Sequence, residues 1–297
     1  MWKVGIIGTE NSHAMAFARI LNLPDPQTGK PPYEDIRVVG VYGPDMDTAQ
    51  DVKDQAQVNF IADSPEDFFG RVDTMMVTCR KGSLHEQYAR PFMEAGMPLF
   101  IDKPFTSDWE QAARFARDAR ERGVLLAGGS GCKYAWDVLL LQHKRQELCA
   151  AGKLLSAAVN FSADRDSIYD GFYFYAPHLT EIALTVFGYD VRSVHAFESR
   201  GGVVAVLRYD GFDATLHYTR GSSASTCVLF GKEGNVCREI DISLIYRHEV
   251  DRFAEMLHTG KMPVDYPELI GHVALIHAVL ESLQSGKEAV VERLERV

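Results

Sequence analysis

Hydrophobic positions follow two regimes along this 297-residue chain. In the first 128 residues, short unbroken apolar runs alternate with stretches of helical spacing. The runs at 3–8, 37–42, 61–64, 72–78, 99–101 and 124–128 are of the kind that forms strands covered on both faces. Between them, apolar residues recur at helical spacing: Ala14, Phe17, Ala18 and Leu21, then Tyr88, Ala89, Phe92 and Met93, then Ala112, Ala113, Phe115 and Ala116. Residues 47–57 also read as a helix. Alternation of this type predicts a doubly wound parallel sheet. After Gly129-Ser130-Gly131 the regime changes. A helix at 136–151, a strand at 154–162 and a helix at 177–187 precede strand-like runs at 193–198, 203–209, 214–219, 226–230 and 235–239. Gly201-Gly202, Asp210-Gly211 and residues 231–234 supply tight turns between them, the signature of an antiparallel sheet. Helices near 246–259 and 267–285 close the chain. The expected fold is α/β. A Rossmann-type domain over 1–128 precedes an α+β domain over 129–297 with an open, largely antiparallel sheet.

Composition narrows the function classes. The formal net charge is −10, with 46% hydrophobic and 24% charged residues. An acidic chain without a basic block is a poor partner for nucleic acid or an anionic membrane. No run approaches the ~18 apolar residues of a membrane span. The five cysteines form no C-x-x-C pair, which fits free thiols in a reducing, cytoplasmic setting. His13, His85, His178 and Glu181 could ligate a metal by type, but their scattered spacing carries no metal signature, and no metal is expected.

Two segments carry candidate chemistry. Leu99-Phe100-Ile101-Asp102-Lys103-Pro104 runs from a buried strand into a proline that stops it. Lys103 then stands at the carboxyl end of a central strand, where open α/β sheets bind ligands. In Pro177-His178-Leu179-Thr180-Glu181, proline suits the first turn of a helix. His178, Glu181 and Thr185 fall on one stripe by their spacing. A carboxylate one turn from a histidine is a means of tuning an imidazole.

Helix, glycine, buried strand and Asp102-Lys103-Pro104, followed later by His178-x-x-Glu181, resemble the Gfo/Idh/MocA-type NAD(P)-dependent oxidoreductases. Those read E-K-P and H-x-x-D at the corresponding places. The resemblance implies that Lys103 and His178 are the catalytic acid/base pair, and that NAD or NADP is the cofactor. It implies cofactor contacts from Gly8, Thr9, Ser12, His13, Asp45, Thr78, His85 and Lys103. Substrate contacts are implied for Lys133, Tyr175 and Glu181. Ser12 is also a candidate cap of the first helix.

The chain departs from the family pattern in three places. Of the glycine fingerprint only Gly8 remains; Glu10 and His13 hold the second and third positions. Gly43 stands where an acid usually takes the ribose hydroxyls, with Asp45 two residues on. Phe174 replaces the aspartate four residues before the catalytic histidine. Arg80 and Lys81, in the loop after the fourth strand, could make up for lost phosphate contacts. The implied function is oxidation or reduction of a sugar, polyol or related hydroxylated compound. The alternative is a non-redox descendant that kept the cleft as a small-molecule site and lost the cofactor. Both faces of the run 203–207 are apolar, which predicts a homodimer, or a dimer of dimers, through the second sheet.

Overall fold

A computed structural model describes residues 1–294. The chain divides into two compact units. One comprises 1–106, 110–129 and 246–266; the other comprises 107–109, 130–245 and the C-terminal segment from residue 267. The sequence pattern gave one crossing, between 128 and 129. The chain instead returns to the first unit for residues 246–266.

The first unit is built on a six-stranded sheet. Its strands are β1 (Trp2–Ile7), β2 (Ile36–Tyr42), β3 (Phe60–Ile61), β4 (Thr74–Val77), β5 (Leu99–Ile101) and β6 (Leu126–Gly128). All pairs are parallel and the order is β3-β2-β1-β4-β5-β6, which reverses direction between β1 and β4. Ligands bind open sheets at such a reversal. The connecting helices are α1 (Ser12–Asn22), α2 (Met46–Gln55), α3 (His85–Glu94) and α4 (Trp109–Arg122). A further helix, α7 (Ile245–Thr259), explains the chain's return. Its Val250, Phe253, Ala254 and Leu257 enter one core with Val4, Phe17, Val38 and Phe100. Burial of that stripe outweighs proximity in sequence.

Helix α1 is capped by Asn11, not by Ser12. The Asn11 carboxamide oxygen accepts from the His13 amide, and Ser12 is the first helical residue. Gly8 has a φ of 111°, and a Cβ there would lie 2.3 Å from the Cys79 amide nitrogen. Only glycine lets the end of β1 lie this close to the loop after β4.

The second unit holds a seven-stranded sheet in the order β12-β11-β7-β10-β9-β8-β13. These are β7 (Leu154–Ser162), β8 (Ser193–Ser199), β9 (Gly202–Arg208), β10 (Asp213–Thr219), β11 (Thr226–Gly231), β12 (Gly234–Glu239) and β13 (Ala289–Val290). Pairing is antiparallel except between β7 and β10, which run parallel. Val203, Ala205 and Leu207 of β9 and Ala214, Leu216 and Tyr218 of β10 are buried on one face. The opposite face carries a cross-strand row, His195–Val206–Thr215–Ala158–Val228, that is half-buried to exposed. Helices α5 (Trp136–Ala150), α6 (Ala176–Phe187) and α8 (Tyr266–Ser285) complete the elements. Every residue of α6 is buried. A helix apolar all round belongs at the centre of its unit, and this one carries His178 and Glu181.

Candidate active site

In the first unit the chemistry gathers around the carboxyl ends of β1, β4 and β5. Asp102 follows β5 directly and is fully buried. Its Oδ1 accepts from the Lys103 amide at 2.8 Å; its Oδ2 accepts from Asn11 Nδ2 at 3.3 Å and lies 2.7 Å from His13 Nδ1. Burial alone would raise the carboxyl's pKa. The His13 charge and hydrogen bond, then the charges of Lys103 and His85, hold it below the usual carboxylate range instead. The His13 ring is itself wedged edge-on against Tyr246 at 4.7 Å and packed on Phe17. The residue at the third fingerprint position is therefore a structural partner of the Asp-Lys-Pro motif. The Lys103–Pro104 peptide is cis.

Glu10, at the second fingerprint position, is tied to the loop after β4. Its Oε1 accepts from the Arg80 amide at 3.1 Å, and the Arg80 guanidinium donates to its carbonyl oxygen. Its Oε2 is buried and has no hydrogen-bond partner among the described residues. The Arg80 guanidinium, expected to face phosphate, thus closes the altered turn.

Several polar groups expected to touch a cofactor are engaged within the protein. The Thr78 hydroxyl lies within hydrogen-bonding reach of the carbonyls of Ile7 and Gly8, stitching β4 to β1. The His85 ring is fully buried, with Nδ1 2.7 Å from the Pro104 carbonyl and Nε2 2.7 Å from the Cys79 carbonyl. It braces the loop before α3 against the cis proline. Thr9 Oγ1 lies 3.0 Å from Thr48 Oγ1, and a Cβ on Gly43 would come within 1.9 Å of that same Thr9 oxygen. The Thr9 side chain therefore fills the place that an acid at 43 would need. Asp45 Oδ1 caps α2 by accepting from the Asp47 amide. Ser12 is exposed at the start of α1.

In the second unit the chemistry centres on α6. Pro177 lies in its first turn, and Gly188, with φ 111°, ends it. The His178 ring lies between Phe161 and Tyr175, at centroid distances of 5.4 and 5.6 Å, and Tyr175 is 43% exposed. His178 Nδ1 is 2.7 Å from Ser130 Oγ and 3.6 Å from Cys132 Sγ. Phe174, at the family's aspartate position, packs on Tyr169 and Tyr175.

Glu181 lies one turn beyond His178 and is fully buried. Lys133 Nζ is 3.2 Å from its Oε2 and 3.3 Å from its Oε1, while His272 Nδ1 is 3.0 Å from Oε1. The Ser130 amide also donates to Oε1 at 3.2 Å. Burial would raise the Glu181 pKa; the Lys133 and His272 charges, with their hydrogen bonds, lower it overall. Lys133 and Glu181, expected on the substrate, are bound to each other, and Lys133 is only 2% exposed. Sequence reading missed Ser130, inside a breaker triplet, and His272, which is 91 residues from Glu181 and has no local signal. Among the described residues, no group of three or more His, Cys, Asp or Glu side chains could hold a metal ion. No helix among them is long and apolar enough to cross a membrane.

Comparison with known proteins agrees with this fold. Residues 2–130 match the model of the Gfo/Idh/MocA oxidoreductase family, described as an NAD-binding Rossmann fold. No curated protein matches in sequence. Among solved structures, a myo-inositol 2-dehydrogenase from Lactobacillus plantarum superimposes with a TM-score of 0.79 at 14% identity, over 98% of this chain and 99% of that one. A myo-inositol dehydrogenase from Corynebacterium glutamicum gives 0.78 at 17% identity, over 98% and 99%. An oxidoreductase from Agrobacterium radiobacter, in complex with NAD+, L-tartaric acid and magnesium, gives 0.77 at 14%, over 98% of each chain. At these identities the likeness is one of fold. The chain is thus similar to the Gfo/Idh/MocA oxidoreductases, by family model over residues 2–130 and by fold over nearly its whole length.

Proposed function

We propose that the protein is a nicotinamide-dependent oxidoreductase acting on a sugar, polyol or related hydroxylated small molecule, with Lys103 and His178 as its acid/base pair. The observation that carries this reading is the setting of Lys103. Its amide is fixed by the buried Asp102 carboxylate, at the carboxyl end of β5, in a sheet whose order reverses one strand away. Folds of this type place the reacting end of a ligand there.

The residues of the first turn fit a dinucleotide. Gly8 keeps the close approach of backbone to backbone that the fold uses. The amides of Glu10 and Ser12 are not used in the turn's own hydrogen bonds, which run from Asn11, His13 and Ala14. A helix start with spare amides suits an anion. Glu10 Oε2 has no hydrogen-bond partner among the described residues, and its charge opposes a phosphate placed at the turn. Gly8, Ser12 and Asp45 are the residues assigned to hold the cofactor. When bound, the cofactor supplies the hydride. Lys103 holds the substrate oxygen, and His178 gives or takes its proton. The exposed Tyr175 ring beside His178 offers an apolar wall to the substrate.

A second copy of the chain is assigned to the outer face of the seven-stranded sheet. Val204, Val206, Ala158, Val228 and the half-exposed Phe197 make that face too apolar for open water. The functional reading is tested by mass spectrometry of ligands that co-purify with the protein, followed by a turnover assay on polyols and their ketones with NAD(H) and NADP(H). A co-purified nicotinamide dinucleotide, or turnover of any member of the panel, supports it. A co-purified small molecule with neither cofactor binding nor turnover favours the non-redox descendant, to which the charge of Glu10 points.

A further inference from the structure

We infer that Ser130 is the positioning residue of His178, and that it holds the neutral imidazole in the form protonated on Nε2. The inference rests on the reading of His178 as a site residue and concerns what that residue can offer a ligand.

Ser130 is 1% exposed, so its hydroxyl is shut off from bulk water. Its backbone amide is taken by Glu181 Oε1 at 3.2 Å. Its Oγ already accepts from the Cys132 amide at 3.2 Å. The hydroxyl proton needs an acceptor, and the one described within reach is His178 Nδ1, at 2.7 Å. The Cys132 thiol, 3.6 Å from the same nitrogen, is a second and weaker donor aimed at it. Nδ1 therefore receives, and in the neutral ring the proton resides on Nε2.

Ser130 is itself held. Glu181 grips its amide, and Lys133 and His272 hold Glu181. The buried charges of this unit are thus arranged behind the imidazole. They fix the serine, and the serine fixes the ring. No carboxylate stands at 174, where Phe174 packs among aromatic rings. A carboxylate on Nδ1 would favour the opposite tautomer, with a bare Nε2 ready to take a hydroxyl proton. With Ser130 in that place, Nδ1 is the accepting nitrogen of the neutral ring and Nε2 the protonated one, the reverse of what a carboxylate partner would set.

The test is nitrogen-15 NMR of the histidine side chains in the uncomplexed protein, at a pH where the ring is neutral. A His178→Asn variant assigns the His178 signals. The inference expects an unprotonated Nδ1 and a protonated Nε2. Ser130→Ala should lose that single pattern and give the averaged shifts of an unconstrained ring, and Ser130→Thr should restore it. Circular dichroism and melting curves check that each variant folds. A protonated Nδ1 in the wild type overturns the inference, whatever the variants do. So does an unchanged pattern in folded Ser130→Ala. No cofactor or substrate is used, so failure here is separate from failure of the oxidoreductase reading, which shows in cofactor binding.

Discussion

His13 Nδ1 stands 2.7 Å from Asp102 Oδ2, joining the first turn of the nucleotide fold to the acid that precedes Lys103. The side chain at the third fingerprint position and the acid of Asp102-Lys103-Pro104 are therefore held in one buried contact. Removing one member of a buried pair leaves the other charge uncompensated, at a typical cost of ~3–5 kcal/mol. His13→Gly, which restores the family glycine, should therefore destabilise the protein by about that amount. Urea denaturation measures it. A neutral or stabilised variant would show that the pair does not hold the turn.

The same pair sets an acid limit. The Asp102 and Glu181 carboxyls are both held below their ordinary values in the folded protein. A depressed carboxyl contributes stability that is present above its unfolded pKa, about 4, and is lost as pH falls through the folded value. Stability should therefore be insensitive to these two groups at neutral pH and should fall below about pH 4. Asp102→Asn should flatten that acid limb. An acid limb equally steep in the variant would contradict the assignment.

Lys133 and Glu181 should behave as a unit. Lys133→Met leaves the Glu181 carboxylate buried with less compensation, and about 3–5 kcal/mol is expected to be lost. Adding Glu181→Leu removes the orphaned charge, so the double variant should be more stable than Lys133→Met alone. Chemical denaturation of the cycle gives the coupling. Simple additivity would mean that the two do not depend on each other.

Lys103→Met and His178→Asn address the chemistry. Each should cut turnover of a substrate found in the panel by about 10²–10⁴-fold, with the melting temperature little changed. Activity within a few fold of wild type in both would remove the pair from the reaction. A collapse of the melting temperature in both would instead give them a structural role.

The outer face of the second sheet predicts assembly. Val206 stands in a row with Thr215 and Ala158 across β9, β10 and β7. Light scattering at micromolar protein should find a dimer or tetramer, and Val206→Glu should weaken it. A wild-type monomer contradicts the assignment of that face.

Much of the fold was legible in the sequence because strands covered on both faces and amphipathic helices write themselves in local periodicity. The parallel order around β1, β4 and β5 follows from that alternation, and β7 was read to the residue at 154–162. The return of α7 to the first unit was not legible, because the stripe of Val250, Phe253 and Leu257 announces a buried face without naming its partner. Lys103 and His178 are singled out as candidates by short motifs at element ends. Their supports are not. Asn11 and His13 reach Asp102 across about 90 positions, and His272 reaches Glu181 across a similar interval. A side chain that answers a distant charge leaves no mark in its own neighbourhood. Ser130 was hidden for a further reason: between two glycines it reads as a chain break, and only the tertiary structure shows its hydroxyl on an imidazole.

The proposed function requires the first turn, altered as it is, to receive a nicotinamide dinucleotide. Titration of the protein with NADH and NADPH, followed by fluorescence and calorimetry, tests it most directly, with Glu10→Gln alongside. Saturable binding below millimolar concentration is expected in the wild type. Glu10→Gln should bind about tenfold tighter, by relief of ~1.4 kcal/mol of repulsion between the carboxylate and the phosphates. No binding of either dinucleotide up to millimolar concentration, in the wild type and in Glu10→Gln alike, would contradict it.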